Sequence, residues 1–273
     1  METVFGSWKY VFKNILFLLP FAIVPAIFLS LSLDYTCIHA VWSGFFAGDP
    51  RAEYLEYLHA WSFLRFDSWE GALFGILAYV AVVAAMAALL CSVEKHMRLG
   101  KRTLSGLWRQ IVNILPSVAG YALVVLVLYE LWAVVLSAVL FAFAGIPSLP
   151  AVYALSVIAI LAFGFALVYL ATILYLWLPC RQMTGFGFFD AVFYSYRLMV
   201  GVRGKLVLSL AISAVGMFFI LVACSLLPEA AFYVIGLILL MFLFLNFVVR
   251  MEALYFETDK LDREDILRHK WEY

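Results

Sequence analysis

The chain has 273 residues, of which 67% are hydrophobic and 13% are charged, and its formal net charge is zero. Soluble domains carry roughly 45–50% apolar and about 25% charged residues, so a water-soluble fold cannot bury this much apolar surface. The mean hydropathy of +1.04 predicts an integral membrane protein, and the absence of a basic domain argues against nucleic-acid binding.

Six apolar runs are long enough to cross a hydrocarbon core of about 30 Å. The third run is too long for one crossing, which predicts a tilt, a kink or an extension beyond the membrane. We expect an all-α polytopic bundle with one transmembrane domain over residues 1–250, followed by a charged cytoplasmic tail over residues 251–273. The six runs cover residues 14–33, 71–91, 113–143, 151–178, 206–227 and 229–249.

Basic residues concentrate on one side of this arrangement. Segments 92–110 and 179–205 each hold a single acidic residue, Glu94 and Asp190, among several lysines and arginines. Segment 34–69, on the other side, is mainly acidic. The positive-inside rule therefore places the basic segments and both termini in the cytoplasm.

Each basic segment contains an amphipathic stretch ahead of an odd-numbered span. This predicts three repeat units, about 1–91, 92–179 and 180–250, each with an interfacial helix and a transmembrane hairpin. The alternative is that basic and aromatic composition is common to all cytoplasmic loops. We expect six basic residues to contact lipid headgroups: Lys9, Lys13, Arg102, Arg109, Arg197 and Arg203.

Two stretches carry a resemblance to a known family: residues 5–14, read as FGSWKYVFKN, and residues 250–257, read as RMEALYFE. With the six-span layout, they resemble the membrane domain of glycerophosphoryl diester phosphodiesterases and its stand-alone bacterial relatives. The resemblance implies a multi-pass protein of a bacterial plasma membrane. In the phosphodiesterases catalysis lies in a separate soluble domain, so the resemblance implies an accessory role and no activity.

Two polar residues inside the spans are candidates for an intramembrane site. Glu130 is the only acidic residue well inside a predicted span, where a carboxylate needs a cavity or a partner. Asn246 lies late in the sixth span, one turn before Arg250. The alternatives are that Glu130 reaches water at the outer boundary and that Asn246 bonds to a neighbouring helix.

The outer segment 34–69 offers a weak metal motif. Glu56 and His59 are one helical turn apart, but no second motif completes a site, so no metal and no cofactor is predicted. The better interpretation is a helix that caps the bundle, with four apolar residues turned inward. Those residues are Tyr54, Leu55, Leu58 and Trp61.

Two further outer features leave alternatives open. Cys37 and Cys224 are predicted on one side, where a disulfide is one alternative. Gly71 and Gly75 form a small-residue pattern that suits close packing, either within one chain or across a dimer.

The function predicted from these patterns is a non-enzymatic accessory or scaffold module of a membrane complex or transport system. Its partners would be membrane lipids and a protein that docks on the cytoplasmic helices or the tail. The alternatives are a transporter or lipid-handling protein in its own right and, with less support, an intramembrane enzyme that acts on lipids. No nucleotide-binding, hydrolase or zinc-protease motif is present in the sequence.

Overall fold

The computed structural model describes residues 2–65, 67–100, 105–225 and 227–258. The described residues form helices and no strands, which confirms the predicted all-α fold. In chain order the helices are α1 (Glu2–Lys13), α2 (Ile15–Ser32), α3 (Tyr35–Ala47), α4 (Tyr54–Trp61), α5 (Trp69–Leu99), α6 (Leu107–Ala144), α7 (Leu149–Leu174), α8 (Trp177–Thr184), α9 (Phe188–Met199), α10 (Arg203–Ser225) and α11 (Glu229–Thr258).

Six stretches of these helices are long and apolar enough to cross a membrane, which confirms the six predicted spans. The protein is therefore an integral membrane protein with several crossings. Because α2, α5, α6, α7, α10 and α11 alternate in direction, the basic segments that precede the odd-numbered spans share one side of the bundle, here called the basic side. The spans are Ile15–Ser32, Trp69–Leu99, Leu107–Ala144, Leu149–Thr184, Arg203–Cys224 and Ala230–Thr258.

The main core lies where α2 packs along α5 and α11. Leu18, Leu90 and Leu245 are completely buried there. Trp177 of α8 joins the same core, and its indole stacks at an angle against Tyr121 of α6 with ring centroids 5.5 Å apart. The short α8 is therefore fixed against the ends of the long helices.

Helix α6 shows the extension that its length predicts. Its 38 residues span about 57 Å at 1.5 Å per residue, well beyond a hydrocarbon core of about 30 Å. The C-terminal part buries Leu136 and Leu140 against Tyr57 of α4 and Phe45 of α3. The outer segment thus builds a second core around the end of α6.

The outer segment contains two helices, and its packing corrects one expectation. The predicted capping helix exists as α4, but Leu55 is 59% exposed whereas Tyr57 is completely buried. The helix is rotated so that the Tyr57 hydroxyl donates to the carbonyl of Pro50. Helix α3, which the sequence analysis did not separate, begins at its N-cap Asp34.

Gly71 and Gly75 make their close contacts within the chain. A β-carbon on Gly71 would lie 2.6 Å from Cβ of Arg65, and one on Gly75 would lie 2.9 Å from Cδ2 of Leu64. These glycines therefore allow the segment before α5 to pack closely against the helix. This is packing within one chain, the first of the two alternatives.

The three amphipathic stretches differ in structure. The first and third form separate helices, α1 and α9, but the described part of the second is continuous with the span α6. Asn14 breaks the helix between α1 and α2, where its side-chain amide donates to the carbonyl of Tyr10 at 2.9 Å. Asn113 lies inside α6 with no such break, so the second unit lacks a separate interfacial helix over its described residues.

The helix of the sixth span extends beyond the predicted start of the tail. Helix α11 does not end at residue 250 but continues to Thr258, because the side chains that follow complete the core. Met251, Glu252, Tyr255 and Phe256 are all buried. Residues 259–273 lie outside the described residues.

Candidate ligand pocket on the basic side

A pocket of about 380 Å³ lies among α5, α6 and α8 at the basic side. This volume is within the range of small-molecule sites, about 300–1,000 Å³. Most lining side chains are polar, which favours a polar or charged ligand group. The lining residues are Cys91, Glu94, Gln110, Asn113, Ile114, Ser117, Arg181, Gln182, Gly185 and Phe186.

Glu94 joins two of the helices that form the pocket. Its Oε1 accepts a hydrogen bond of 2.9 Å from Nη1 of Arg98, one turn later on α5. Its Oε2 accepts from Nε2 of Gln182 on α8. Both carboxylate oxygens are thus occupied, and Glu94 positions Gln182 instead of offering a free negative charge.

Arg181 provides the available positive charge. It lies half-buried in the pocket wall, and its guanidinium has no hydrogen bond or ion pair with any residue of the described part of the chain. The neighbouring Oε1 of Gln182 is buried and also has no hydrogen-bond partner there. The pocket wall therefore holds one buried acceptor and one cation without a protein partner among the described residues, as expected of a site for a polar group.

Helix α6 supplies a polar stripe opposite these residues. Gln110, Asn113 and Ser117 are three and four residues apart, so they lie on one helix face. Gln110 and Asn113 are exposed and Ser117 is half-buried, which leaves this side of the pocket open. The stripe offers amide and hydroxyl donors that line the same pocket as Arg181.

A second carboxyl group lies close to the pocket wall. Glu252 of α11 is completely buried, and neither of its oxygens has a hydrogen-bond partner within the described residues. It is close enough to Glu94 for the two to interact electrostatically, and Cys91 interacts with both. A buried carboxyl without a partner is costly, so this position is energetically exceptional in the bundle.

The structure places the predicted site residue Glu130 at the end of the bundle opposite the basic side, beside segment 34–69. Its Oε2 accepts from the Ser62 hydroxyl at 2.6 Å, and its Oε1 accepts from the backbone N–H groups of Phe63 and Leu64 at 2.9 and 3.2 Å. Glu130 therefore holds the segment ahead of α5 against α6.

Asn246 belongs to a different network, near the basic side. It accepts a 2.6 Å hydrogen bond from Nη2 of Arg250 and donates to the Ser7 hydroxyl at 3.3 Å. Arg250 is buried and also donates to Ser209 and Ser213 of α10. This network connects α1, α10 and α11, and the structure does not bring Asn246 and Glu130 together.

The six predicted headgroup contacts fall into three groups. Lys9, Lys13, Arg109 and Arg197 are exposed on the basic side. Arg203 is half-buried, with its guanidinium carbon 4.2 Å from the centroid of the Tyr196 ring, a cation–π contact. Arg102 lies outside the described residues.

Glu56 and His59, the weak metal motif of the outer segment, do not act as a pair of ligands. Glu56 accepts from the backbone N–H of Glu53 at 3.0 Å and completes the capping box of α4, so it is engaged away from His59. Cys37 and Cys224 are both free thiols, so they do not form the disulfide that the sequence left open.

The pocket residues could not be recognised as a site from the sequence. One signal for Glu94 was present, because it is the only acidic residue in the basic segment 92–110. Nothing in the sequence marked Arg181 and Gln182 as site residues, since their role depends on how α8 packs against α5 and α6.

No family model, no curated protein and no solved structure matches this chain. The resemblance to the phosphodiesterase membrane domain therefore stays a prediction, and the pocket itself is the basis for any statement about function.

Proposed function

We propose that this membrane protein handles lipids by binding a phosphate-bearing headgroup in the pocket on the basic side. The observation that supports this proposal is Arg181, a half-buried cation without an anionic partner among the described residues, in a pocket lined with further polar groups. Under this proposal the protein is not an enzyme, and the pocket binds its ligand without changing it.

The chemistry of the pocket suits a phosphate. A guanidinium binds phosphate oxygens through two parallel N–H groups, and these charge-assisted bonds are stronger than neutral ones. The amides of Gln110 and Asn113 and the hydroxyl of Ser117 add donors on the opposite wall. Glu94 keeps α8 in place while its own charge is compensated by Arg98.

The surroundings of the pocket suit a lipid. Val112 and Leu115 are exposed on α6 beside the polar stripe, and Phe186 is exposed at the pocket wall. The pocket also lies near the ends of the spans, where headgroups are found. A headgroup in the pocket would leave its acyl chains against these apolar side chains.

The test measures the phospholipid retained by the purified full chain. We compare wild type with Arg181→Gln in mild detergent by native mass spectrometry, and use Lys205→Gln, which removes an exposed positive charge near the start of α10 on the same side, as the control. The loss of one charge-assisted contact predicts at least about tenfold weaker retention for Arg181→Gln and less than about twofold for the control. Equal retention by both variants would remove the proposal.

A second candidate function is the accessory module, which the exposed face of α9 favours. Phe189 and Phe193 are 73% and 68% exposed, while the opposite face of α9 packs on the bundle through Ala191, Ser195 and Met199. A protein that co-purifies stoichiometrically with wild type and is lost on Phe189→Ser, with lipid retention unchanged, would favour this candidate.

A further inference from the structure

Three side chains with different donor atoms meet on the outer side of the bundle. A carboxylate oxygen of Asp34, Sγ of Cys37 and a ring nitrogen of His59 all lie within 4.8 Å of one another. Asp34 is buried, and the other two residues are half-buried. The cluster is independent of the basic-side pocket.

The fold fixes these residues from two helices. Asp34 is the N-cap of α3, and its Oδ1 accepts from the backbone N–H of Cys37 at 3.0 Å. His59 lies in the last turn of α4, which packs on α3. The tight capping at both helix starts restricts how far the three side chains can separate.

His59 is the member of the cluster that is free to accept a ligand. The imidazole of His59 makes no hydrogen bond to any residue that the structure describes, so neither ring nitrogen is engaged there. Carboxylate oxygen, thiolate sulfur and imidazole nitrogen are the three ligand types of zinc sites. In a tetrahedral site with bonds of about 2.0–2.3 Å, the ligand atoms lie roughly 3.5 Å apart. Side-chain rotations that shorten the distances between the three donor atoms by about 1 Å would therefore close the cluster around an ion.

We propose that Asp34, Cys37 and His59 form a binding site for a divalent transition metal, with Zn²⁺ as the preferred ion. The mixture of one sulfur, one nitrogen and one oxygen ligand favours a borderline-soft ion over Mg²⁺ or Ca²⁺. Three protein ligands leave one coordination position open, as in zinc sites that also hold water.

Arg65 is the cation that a metal ion must replace at Asp34. Its Nε lies 3.7 Å from Oδ2 of Asp34 and also 3.7 Å from Oδ1 of Asp67. The guanidinium already bridges the two carboxylates, so it can remain with Asp67 when Asp34 takes the metal. The exchange leaves no buried charge unpaired.

The thiol must lose its proton to bind the ion. Burial, with a contribution from the Asp34 carboxylate, raises the pKa of Cys37 to about 11. When the ion binds, the proton on Sγ is released to solvent, so the affinity rises with pH.

The experiment titrates the full chain in detergent, free of any oligohistidine tag and pretreated with chelator, with ZnCl₂ and separately with CoCl₂. We expect one Zn²⁺ per chain and a thiolate-to-cobalt charge-transfer band. Cys37→Ser and His59→Gln should each weaken binding by at least about a hundredfold. Asp34→Asn keeps an N-cap side chain and should weaken binding without loss of the fold.

Two control variants match the ligands in residue type and side. Cys224→Ser removes another outer thiol and His39→Ala another outer imidazole, and both should bind Zn²⁺ within about twofold of wild type. Thermal unfolding without metal verifies that each variant is folded; if Cys37→Ser is not, alkylation of Cys37 in the folded wild type replaces it.

Three results would overturn the site. The first is no saturable binding below about 0.1 mM Zn²⁺. The second is unchanged affinity in Cys37→Ser or His59→Gln. The third is a cobalt complex without the thiolate band. None of these bears on lipid retention in the other pocket.

Discussion

Cys37 lies at the third position of α3, half-buried beside the carboxylate of Asp34. Burial and the nearby negative charge both disfavour its thiolate, and the pKa rises to about 11. Maleimide reacts with the thiolate, so the labelling rate reports the ionised fraction.

We expect the labelling of Cys37 to rise about tenfold per pH unit from pH 7 to about pH 10, without a plateau. The measurement uses metal-free protein in which Cys91, Cys180 and Cys224 are replaced by alanine. Asp34→Asn removes one cause of the raised pKa and should speed labelling at pH 8 several-fold. A plateau near pH 8.5, the range of an ordinary cysteine, would contradict the assigned environment.

Two buried glutamates near the pocket differ in their hydrogen bonds, since Glu94 has partners for both oxygens and Glu252 has none among the described residues, so the same substitution should destabilise only Glu94. In Glu94→Gln, the amide NH₂ must face a donor of either Arg98 or Gln182, since both partners donate to the present carboxylate. We expect a loss of about 1–3 kcal/mol in the free energy of unfolding.

Glu252→Gln removes a carboxyl group that has no hydrogen-bond partner within the described residues and that lies near another carboxylate. Because glutamine removes the charge near Glu94 but is equally unpartnered, we expect this variant to be at least as stable as wild type. Thermal unfolding of both variants in one detergent, followed by tryptophan fluorescence, makes the comparison. A destabilised Glu252→Gln would show that Glu252 has a stabilising interaction in the folded protein.

At the scale of helices, α11 and α3 meet at a glycine. Tyr35 packs edge-on against Phe232, its hydroxyl is 2.6 Å from the Ser30 hydroxyl, and a β-carbon on Gly236 would lie 2.8 Å from the same Tyr35 oxygen. The contact fixes how closely the outer helices approach the last span.

Gly236→Ala should therefore destabilise the protein by about 1–3 kcal/mol through overpacking. Gly120→Ala in α6 is the matched control, because a β-carbon added there would have no neighbouring atom within 4 Å and alanine is the better helix former. We expect the control to be neutral or up to about 1 kcal/mol more stable. Equal unfolding temperatures for the two variants would mean that Tyr35 moves aside at little cost.

The long helices could be predicted from the sequence because lipid requires continuous apolar segments whose backbone bonds are internal. The described bounds of α2 and α5 follow the apolar runs to within a few residues at the outer side. The rotation of α4 could not be predicted, since Leu55 and Tyr57 are both apolar and only the contact with Pro50 selects between them. The continuation of α11 to Thr258 could not be predicted, because the burial of the charged residues Arg250 and Glu252 depends on how the bundle packs.

The candidate sites could be recognised only from the folded structure, because each combines residues from separate helices. Glu94, Asn113 and Arg181 come from three helices far apart in sequence, and only the packing of α5, α6 and α8 makes one pocket of them. Likewise Asp34 and Cys37 are only three residues apart, but His59 joins them through the packing of α4 on α3. Glu130 was a candidate site residue because it is an acidic residue inside a predicted span. In the structure it instead holds the outer segment in place through its hydrogen bonds.

The whole-molecule arrangement leads to a prediction about sidedness. The basic segments share one side and the acidic outer helices the other, so the positive-inside rule predicts Lys13, Arg197 and Glu257 in the cytoplasm and Asp49 and Ser148 outside. All five are exposed, so a cysteine introduced at any of them is accessible to a reagent.

We expect a membrane-impermeant maleimide, applied to intact cells that produce cysteine-free variants with one added cysteine, to label positions 49 and 148. Positions 13, 197 and 257 should be labelled only after the membrane is opened. The opposite pattern would invert the protein and place the Asp34–Cys37–His59 cluster in the reducing cytoplasm. Labelling of 13 without 257, or of 49 without 148, would contradict six crossings. The pattern also decides which leaflet supplies a headgroup to the Arg181 pocket, because that pocket opens on the side of Lys13 and Arg197.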